Sequence, residues 1–477
     1  MTLHAPPDQD IIVIGATGDL ASRKLLPALY NLCVEDLLPR RGAIIGAAPL
    51  AWSRDDFLSH ARDAIACHSR SGIDAEAFSR LAERLIYVPL GPDDDLAALR
   101  RATTQPRRLL YLAVPASAFA PLTTALGEAG LAEGTSIIIE KPFGHDRRSA
   151  GELNSVLHAV FSESSIFRID HYLGKETVQN LLVFRFGNSL FERVWNRDAI
   201  AWVEITVAET LGVDHRGAFY EETGAVRDIV QNHLFQLLAV VAMEPPVSFD
   251  AEALRNEKIK VLRAVQPIDP STVVRGQYTA GRVDDHPVAG YRQEEGVDAS
   301  SGTETYAALK LHLDTWRWSG VPFLLRTGKR LAARETRIVV VFRDVPLHLF
   351  AGAGVHAIDE NQLIIRVQPD EGISLTFVAK RPGPELATQT VRMDFAYGES
   401  FKTSPPEAYE RLIHDALNGD HSLFIREDEV DRGWAIVEPL LAEPRPVVFY
   451  QAGSWGPDEA DTVAEPGHWH PPVEGDA

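Results

Sequence analysis

Cysteine is almost absent: Cys33 and Cys67 are the only two in 477 residues. Two thiols build no disulfide framework and no cysteine-ligand spacing, which suits a reducing compartment, and no metal is expected. Long apolar runs are missing too. The longest, Leu234 to Met243, contains Gln236 and is far too short to cross a bilayer, so no membrane partner is expected. Met1 to Asp10 carries neither a basic stretch nor an apolar core, so no secretory leader is expected. Positive charge is in deficit, with 47 Lys+Arg against 67 Asp+Glu and a net charge of −20. An acidic surface repels phosphodiester backbones, and nucleic acid is not an expected partner. An anionic ligand would have to be held by a local concentration of cations. With 45% hydrophobic and 24% charged residues, the composition is globular. The expectation is a cytoplasmic enzyme of two domains.

What is present falls into two textures. Ile11 to Ile14, Ala43 to Ile45, Leu109 to Val114, Ile137 to Ile139 and Ile166 to Ile169 are short apolar runs without alternation. Helical patterns separate them, although Pro27 interrupts the first. Such runs predict a parallel sheet covered on both faces, an α/β Rossmann-type domain over residues 1–177. After about residue 177 the strands alternate, as in Val203 to Val207, Leu309 to Leu313 and Ile373 to Phe377. Arg337 to Phe342 and Leu363 to Val367 add strand-like runs. Alternation predicts one packed face and one in polar surroundings, hence a larger α+β domain, 178–477, with a mostly antiparallel sheet. One helical segment, Gly224 to Met243, interrupts it. Residues 455–477, rich in Pro, Glu and Asp, are expected to be a poorly ordered tail.

Gly15-Ala16-Thr17-Gly18-Asp19-Leu20 follows the first strand and opens a helix. Glycines let the backbone approach a pyrophosphate, and the helix start supplies amide donors. The string alone also fits an ordinary tight turn; the strand before and helix after favour the dinucleotide. Lys141 follows the fourth run; Asp170 and His171 follow the fifth. In a doubly wound sheet, ligands sit beyond the carboxyl ends of strands. Lys175, at a Gly-opened helix start with His171 and Tyr172 before it, suits a phosphate cradle or a plain surface lysine equally. His233 lies on the apolar stripe of the 224–243 helix, which also carries Arg227, Asp228, Gln231 and Asn232. It is either a satisfied core histidine or part of a site where the helix enters a cleft. Arg326 to Arg330 and Arg334 form a basic cluster, either a surface turn or the local positive charge sought.

GATGDLASRKLLPALYNL (15–32), EKPFGHD (140–146), RIDHYLGKE (168–176), RDIVQNHLFQLL (227–238), VPFLLRTGKRL (321–331) and YQAGSWGP (450–457) resemble the glucose-6-phosphate dehydrogenase family. EKIKVL (257–262), TETYAALKL (303–311) and PEAYERL (406–412) resemble it too, in the family's order. The resemblance implies oxidation of glucose 6-phosphate at C1 to the 1,5-lactone, the first step of the pentose phosphate pathway. Hydride would pass to NADP or NAD, and the chain would form a homodimer or homotetramer. It implies that His233 is the general base and Asp170 its carboxylate partner. His171, Tyr172 and Lys175 would hold the sugar phosphate, helped by Lys329 and Arg334. Glu209 and Asp228 would bind sugar hydroxyls, Lys141 would bridge substrate and coenzyme, and Gly15 to Leu20 would hold the pyrophosphate. An imidazole with an ordinary pKa of about 6.5 suits removal of the O1 proton. One residue departs from the pattern. Pro49 stands where NADP-preferring relatives carry Arg, and it has neither charge nor amide donor. NADP is the family default, with NAD possible, and Thr17, Arg23 or Arg54 would have to compensate. A dehydrogenase for another hexose phosphate and a non-catalytic sugar-phosphate or dinucleotide sensor are the alternatives.

Overall fold

The computed structural model describes residues 4–91, 96–353, 358–401 and 406–471. Two compact units emerge. One comprises residues 1–175, 246–256 and 405–431, and the other 176–245, 257–404 and 432–477. The change of sequence texture predicts a single boundary at 177/178, whereas the first unit also takes in two later segments.

In the first unit, β1 (Asp10–Ile14), β2 (Ile44–Ala48), β3 (Leu85–Pro89), β4 (Arg108–Leu112), β5 (Thr135–Ile139) and β6 (Ile166–Ile169) form a parallel sheet in the order 6-5-4-1-2-3. β1, β2 and β6 are buried throughout, which explains why they are apolar apart from the buried charges Asp10 and Arg168. The strand order reverses beside β1, between β1 and β4. Right-handed crossovers therefore put the helices after β1 and β2 on one face and those after β4 and β5 on the other. Pro27 does not end its helix. A wide, π-type turn, Ala21–Leu25, leads into Leu26–Val34, and the Leu26 N–H bonds back to Ala21 O, so the proline falls where its missing donor costs least.

Ala408–Asn418, from the far end of the chain, packs on Leu26–Val34. Glu410, 1% exposed, takes a bidentate bond from Arg70 and another from Asn31. Gly174 allows the close approach, since a Cβ there would meet Ala408 Cβ and O at 3.0 Å.

In the second unit, β7 (Ile200–Ala208), β8 (Val274–Thr279), β11 (Tyr306–Leu311), β12 (Phe323–Gly328), β13 (Glu335–Phe342), β14 (Gln362–Gln368), β15 (Gly372–Lys380), β16 (Thr388–Ala396) and β18 (Val448–Gln451) form one sheet. Its order is 16-15-14-13-7-12-11-8-18. Pairing is antiparallel except at β7–β12 and β8–β18. A separate hairpin joins β9 (Gly281–Val283) to β10 (His286–Val288), and β17 (Phe424–Ile425) adds an antiparallel edge to β6 in the first unit.

β7, one of the alternating strands, is covered on both sides. Glu204 and Thr206, the polar positions of β7, are each 1% exposed. The segment read as a loose tail supplies the cover. Ala460–Ala464 is helical, and His470 is 6% exposed and bonded to Glu204. Its composition is polar because the sheet face it meets is polar, with Arg326 between Trp455 and Trp469 and bonded to Thr206. Residues 472–477 lie outside the described ones. Among the described residues no helix is long and apolar enough to cross a membrane.

Candidate active site

In the first unit the Gly15 turn sits at the carboxyl edge of β1. Gly15 has φ +91°, and a Cβ there would lie 2.2 Å from Ala113 O, so only glycine fits. Its N–H and that of Ala16 donate to Ala47 O, while Gly18 N–H donates back to Gly15 O. Beside the turn is an apolar cavity of 390 Å³, lined by Gly15, Pro49, Leu96, Val114, Pro121 and Leu122 among others. A glycine turn opening a helix next to an apolar slot fits a dinucleotide, pyrophosphate on the turn and ring in the slot. Ala16 is buried, Thr17 and Leu20 are half-buried, and Asp19 is exposed and paired with Arg23 at 2.6 Å.

Pro49 therefore lines this cavity. Of the residues named to replace its missing charge, Arg54 is bonded to the carbonyls of Leu85 and Ala82, at 2.9 and 2.6 Å. Arg23 is exposed beside Asp19. His60, unsignalled in the sequence, lies 3.1 Å from Ser22 Oγ, one helical turn beyond Gly18, with Trp52 packed on its ring. Burial pushes the pKa of His60 down.

Asp170 follows β6 and is 1% exposed, with Oδ1 accepting the Tyr172 N–H at 3.0 Å. Successive turns bond Leu173 to Asp170, Gly174 to His171 and Lys175 to Tyr172. These turns fold 170–175 into one compact loop. Lys175 Nζ lies 4.4 Å from the Tyr172 ring centre, a cation–π contact that holds the ammonium at the loop. The His171 ring stacks over Tyr409, 6.5 Å away and tilted by 12°. Tyr409 and Tyr111 both hydrogen-bond Glu140, Tyr111 at 2.5 Å. Burial raises the Glu140 pKa against the opposing pull of the two phenols, and burial beside Glu140 pushes both phenols up. Glu140 precedes Lys141, whose peptide bond to Pro142 is cis. Tyr409 carried no role in the sequence reading, although it lies within the quoted PEAYERL string.

In the second unit the expected 224–243 helix is built in two parts, a wide π-type segment Val226–Leu234 and an α-helix Phe235–Ala242. Glu304 accepts the Val226 N–H at 3.0 Å and would collide with a side chain at Gly224, φ +65°. The π-type segment packs on β7 and β12. His233 is 1% exposed within it. Such wide turns recur at functional sites.

Glu209 follows β7, Lys329 follows β12, and Asp228 projects from the π-type segment. Lys329 Nζ is 2.7 Å from Glu209 and 4.0 Å from Asp228. Tyr220 lies 5.1 Å beneath the ammonium, its pKa raised by burial and by the surrounding carboxylates. Three predicted residues thus meet in one cluster, joined by Tyr220, which the sequence did not signal. The basic cluster does not act as one patch. Strand alternation sends Arg326 to the Thr206 face, Arg330 pairs with Asp214 at 3.0 Å, and Arg334 is exposed.

Comparison with known proteins accounts for both units. Residues 12–180 match the profile described as "Glucose-6-phosphate dehydrogenase, NAD binding domain", and 182–470 match "Glucose-6-phosphate dehydrogenase, C-terminal domain". The chain is 45% identical to glucose-6-phosphate 1-dehydrogenase 2 of Mycobacterium tuberculosis, covering 94% of this chain and 91% of that one. It is 44% identical to glucose-6-phosphate 1-dehydrogenase of Rhizobium meliloti, covering 96% of each. The structure is similar to a glucose-6-phosphate dehydrogenase solved with its substrate glucose 6-phosphate, at a TM-score of 0.89 and 37% identity, over 99% of this chain and 100% of that one.

Proposed function

The chain belongs to the glucose-6-phosphate dehydrogenase family, and from that premise we propose how its own residues carry out the reaction. It is a glucose-6-phosphate 1-dehydrogenase: the C1 hydroxyl of glucose 6-phosphate loses a proton and C1 loses a hydride, leaving the 1,5-lactone. NADP, when bound, supplies the nicotinamide that accepts the hydride.

His233 takes the O1 proton, with Asp170 as its carboxylate partner. A paired carboxylate sets the imidazole tautomer and stabilises the imidazolium that forms. Glu209 and Asp228 accept hydrogen bonds from sugar hydroxyls. Lys329, between those two carboxylates, is better placed to hold them than to meet the phosphate alone. His171, Tyr172 and Lys175 bind the phosphate, and the Tyr409–Glu140 network keeps the His171 ring in position. Arg334, being exposed, has the weakest support as a phosphate ligand. Lys141 bridges substrate and coenzyme, while Gly15 to Leu20 receive the pyrophosphate.

The observation that carries this reading is the match along the whole chain, which leaves neither unit without a counterpart. A homodimer or homotetramer in the cytoplasm completes it. β16, the edge strand of the second unit's sheet, offers unpaired backbone groups suited to self-association. The deciding experiment follows coenzyme reduction by absorbance with glucose 6-phosphate, its epimers, and NADP or NAD in turn. Reduction is expected with glucose 6-phosphate and NADP. Binding of sugar phosphates without reduction of either coenzyme would mean a sensor, and preference for an epimer would mean a related dehydrogenase.

A further inference from the structure

His468, Trp469 and His470 end the segment that crosses the sheet face carrying Glu204. The His470 Nδ1–H donates to Glu204 Oε1 at 2.5 Å, and its backbone N–H donates to Oε2 at 3.1 Å. Glu204 also accepts the Trp202 Nε1–H at 2.9 Å. With Nδ1 turned towards Glu204, the second ring nitrogen, Nε2, points to the far side of the ring.

Nε2 faces a second carboxylate. His470 Nε2 is 3.3 Å from Glu360 Oε2. The His468 ring lies 4.4 Å from the His470 ring, centre to centre. One ligand atom from each of Glu360, His468 and His470 lies within 4.8 Å of the others. A ring nitrogen 3.3 Å from a carboxylate oxygen fits either a proton or a metal cation between the two. A proton on Nε2 would serve His470 and Glu360 alone and would not involve His468, whose ring otherwise packs edge-on to Trp202. A metal ion uses all three. Bonds of about 2.0–2.2 Å to a tetrahedral ion place neighbouring ligand atoms about 3.3–3.6 Å apart, and Nε2 and Oε2 already stand 3.3 Å apart. A ligating histidine whose other nitrogen donates to a buried carboxylate is the usual outer-shell arrangement at such ions.

We propose that Glu360, His468 and His470 bind a divalent transition-metal ion of the zinc class, with Glu204 orienting His470 from behind. Two imidazoles and one carboxylate suit zinc, cobalt, nickel or copper over magnesium or calcium. The fourth position is open to water, because His468 is exposed and Glu360 is half-buried. The ion would tie the C-terminal segment to the chain entering β14. Arg326 and Arg337 already hold the His470 carbonyl from the sheet side. The role is structural and adds no step to the dehydrogenase reaction.

The test uses the full-length protein, stripped with a chelator and dialysed. Titration calorimetry with Zn2+ should show one ion per chain at micromolar affinity or tighter, and Co2+ should give the visible absorption of a four-coordinate ion. His468→Ala and Glu360→Gln, both away from the proposed active site, should each weaken Zn2+ binding by at least about tenfold with dehydrogenase activity unchanged; Glu204→Gln should weaken it about 10–100-fold. Should Glu204→Gln fail to fold, the variant at exposed His468 still decides. Absence of stoichiometric Zn2+ binding, or wild-type affinity in both His468→Ala and Glu360→Gln, would overturn the proposal in favour of an imidazolium bridging two carboxylates.

Discussion

Lys329 Nζ lies 2.7 Å from Glu209 and 4.0 Å from Asp228, over the ring of Tyr220. One ammonium thus holds two carboxylates, which in the proposed function accept hydrogen bonds from sugar hydroxyls. A hydrogen bond to a charged group contributes about 1.5–3 kcal/mol, so Glu209→Gln should raise the KM for glucose 6-phosphate by roughly 10- to 100-fold. Steady-state kinetics check this, with kcat expected to change less than KM. An unchanged KM would remove the cluster from the sugar site.

His233→Asn keeps a polar side chain of similar size but supplies no base. The expected result is a fall in kcat of ~10²–10⁴, the ordinary contribution of a positioned base. Equilibrium binding of glucose 6-phosphate should persist. Near-wild-type turnover would defeat the assignment.

At the phosphate loop, Lys175→Ala should act mainly on KM. Tyr409 separates ring packing from hydrogen bonding. Tyr409→Phe retains the ring beneath His171 and loses only the bond to Glu140, so its KM should rise less than that of Tyr409→Ala. Equal effects would mean that the stack does not position His171.

If the coenzyme binds at the Gly15 turn as proposed, its choice turns on Pro49, which lines the apolar cavity with no charge to offer a 2′-phosphate. Pro49→Arg should improve kcat/KM for NADP relative to NAD by roughly 10- to 100-fold, the value of about 1.5–3 kcal/mol for a charged hydrogen bond. The ratio measured for the two coenzymes before and after substitution decides it. No change in the ratio would show that the 2′-phosphate lies elsewhere.

Arg168 is fully buried on β6 and donates to Glu163 at 2.7 Å and to Asn154 at 2.9 Å. Glu163→Gln leaves that guanidinium without its counter-charge. Breaking a buried pair costs roughly 3–5 kcal/mol; with the Glu163 side chain 31% exposed, the low end is expected. Burial would raise the Glu163 pKa, but the bond and charge of Arg168 prevail and lower it. A carboxyl depressed on folding stabilises fully above its unfolded pKa of about 4.3, and that stability is lost as pH falls through the folded value. Denaturant titrations across this acid range should show a shallower pH slope in Glu163→Gln than in the wild type.

The strands of the first unit were legible because a parallel sheet covered on both faces demands uninterrupted apolar residues, as at Ile11 to Ile14 and Ile137 to Ile139. Leu85–Pro89 carries the same signal and went unread, and the two-residue edge Phe424–Ile425 is too short to signal itself. At the site, the Gly15 turn and the positions of Lys141, Asp170 and His171 after strands were readable from local order. Tyr409 and Tyr220 were not, since a tyrosine in a helix looks the same whether it packs in a core or beneath a charged side chain.

Local covalent facts and hydrophobic period are written in the chain itself. They determined the strand types, the glycine turn at Gly15 and the buried face around His233, because each depends on residues a few positions apart. Tertiary structure alone decided that 405–431 joins the first unit, that Lys329 rather than Arg326 meets Glu209, and that His470 meets a carboxylate 266 positions away at Glu204. Those pairings are distant in sequence, and a charge or an imidazole has no periodic signature. Its partner is chosen by which strand end or covering segment the fold brings within bonding distance.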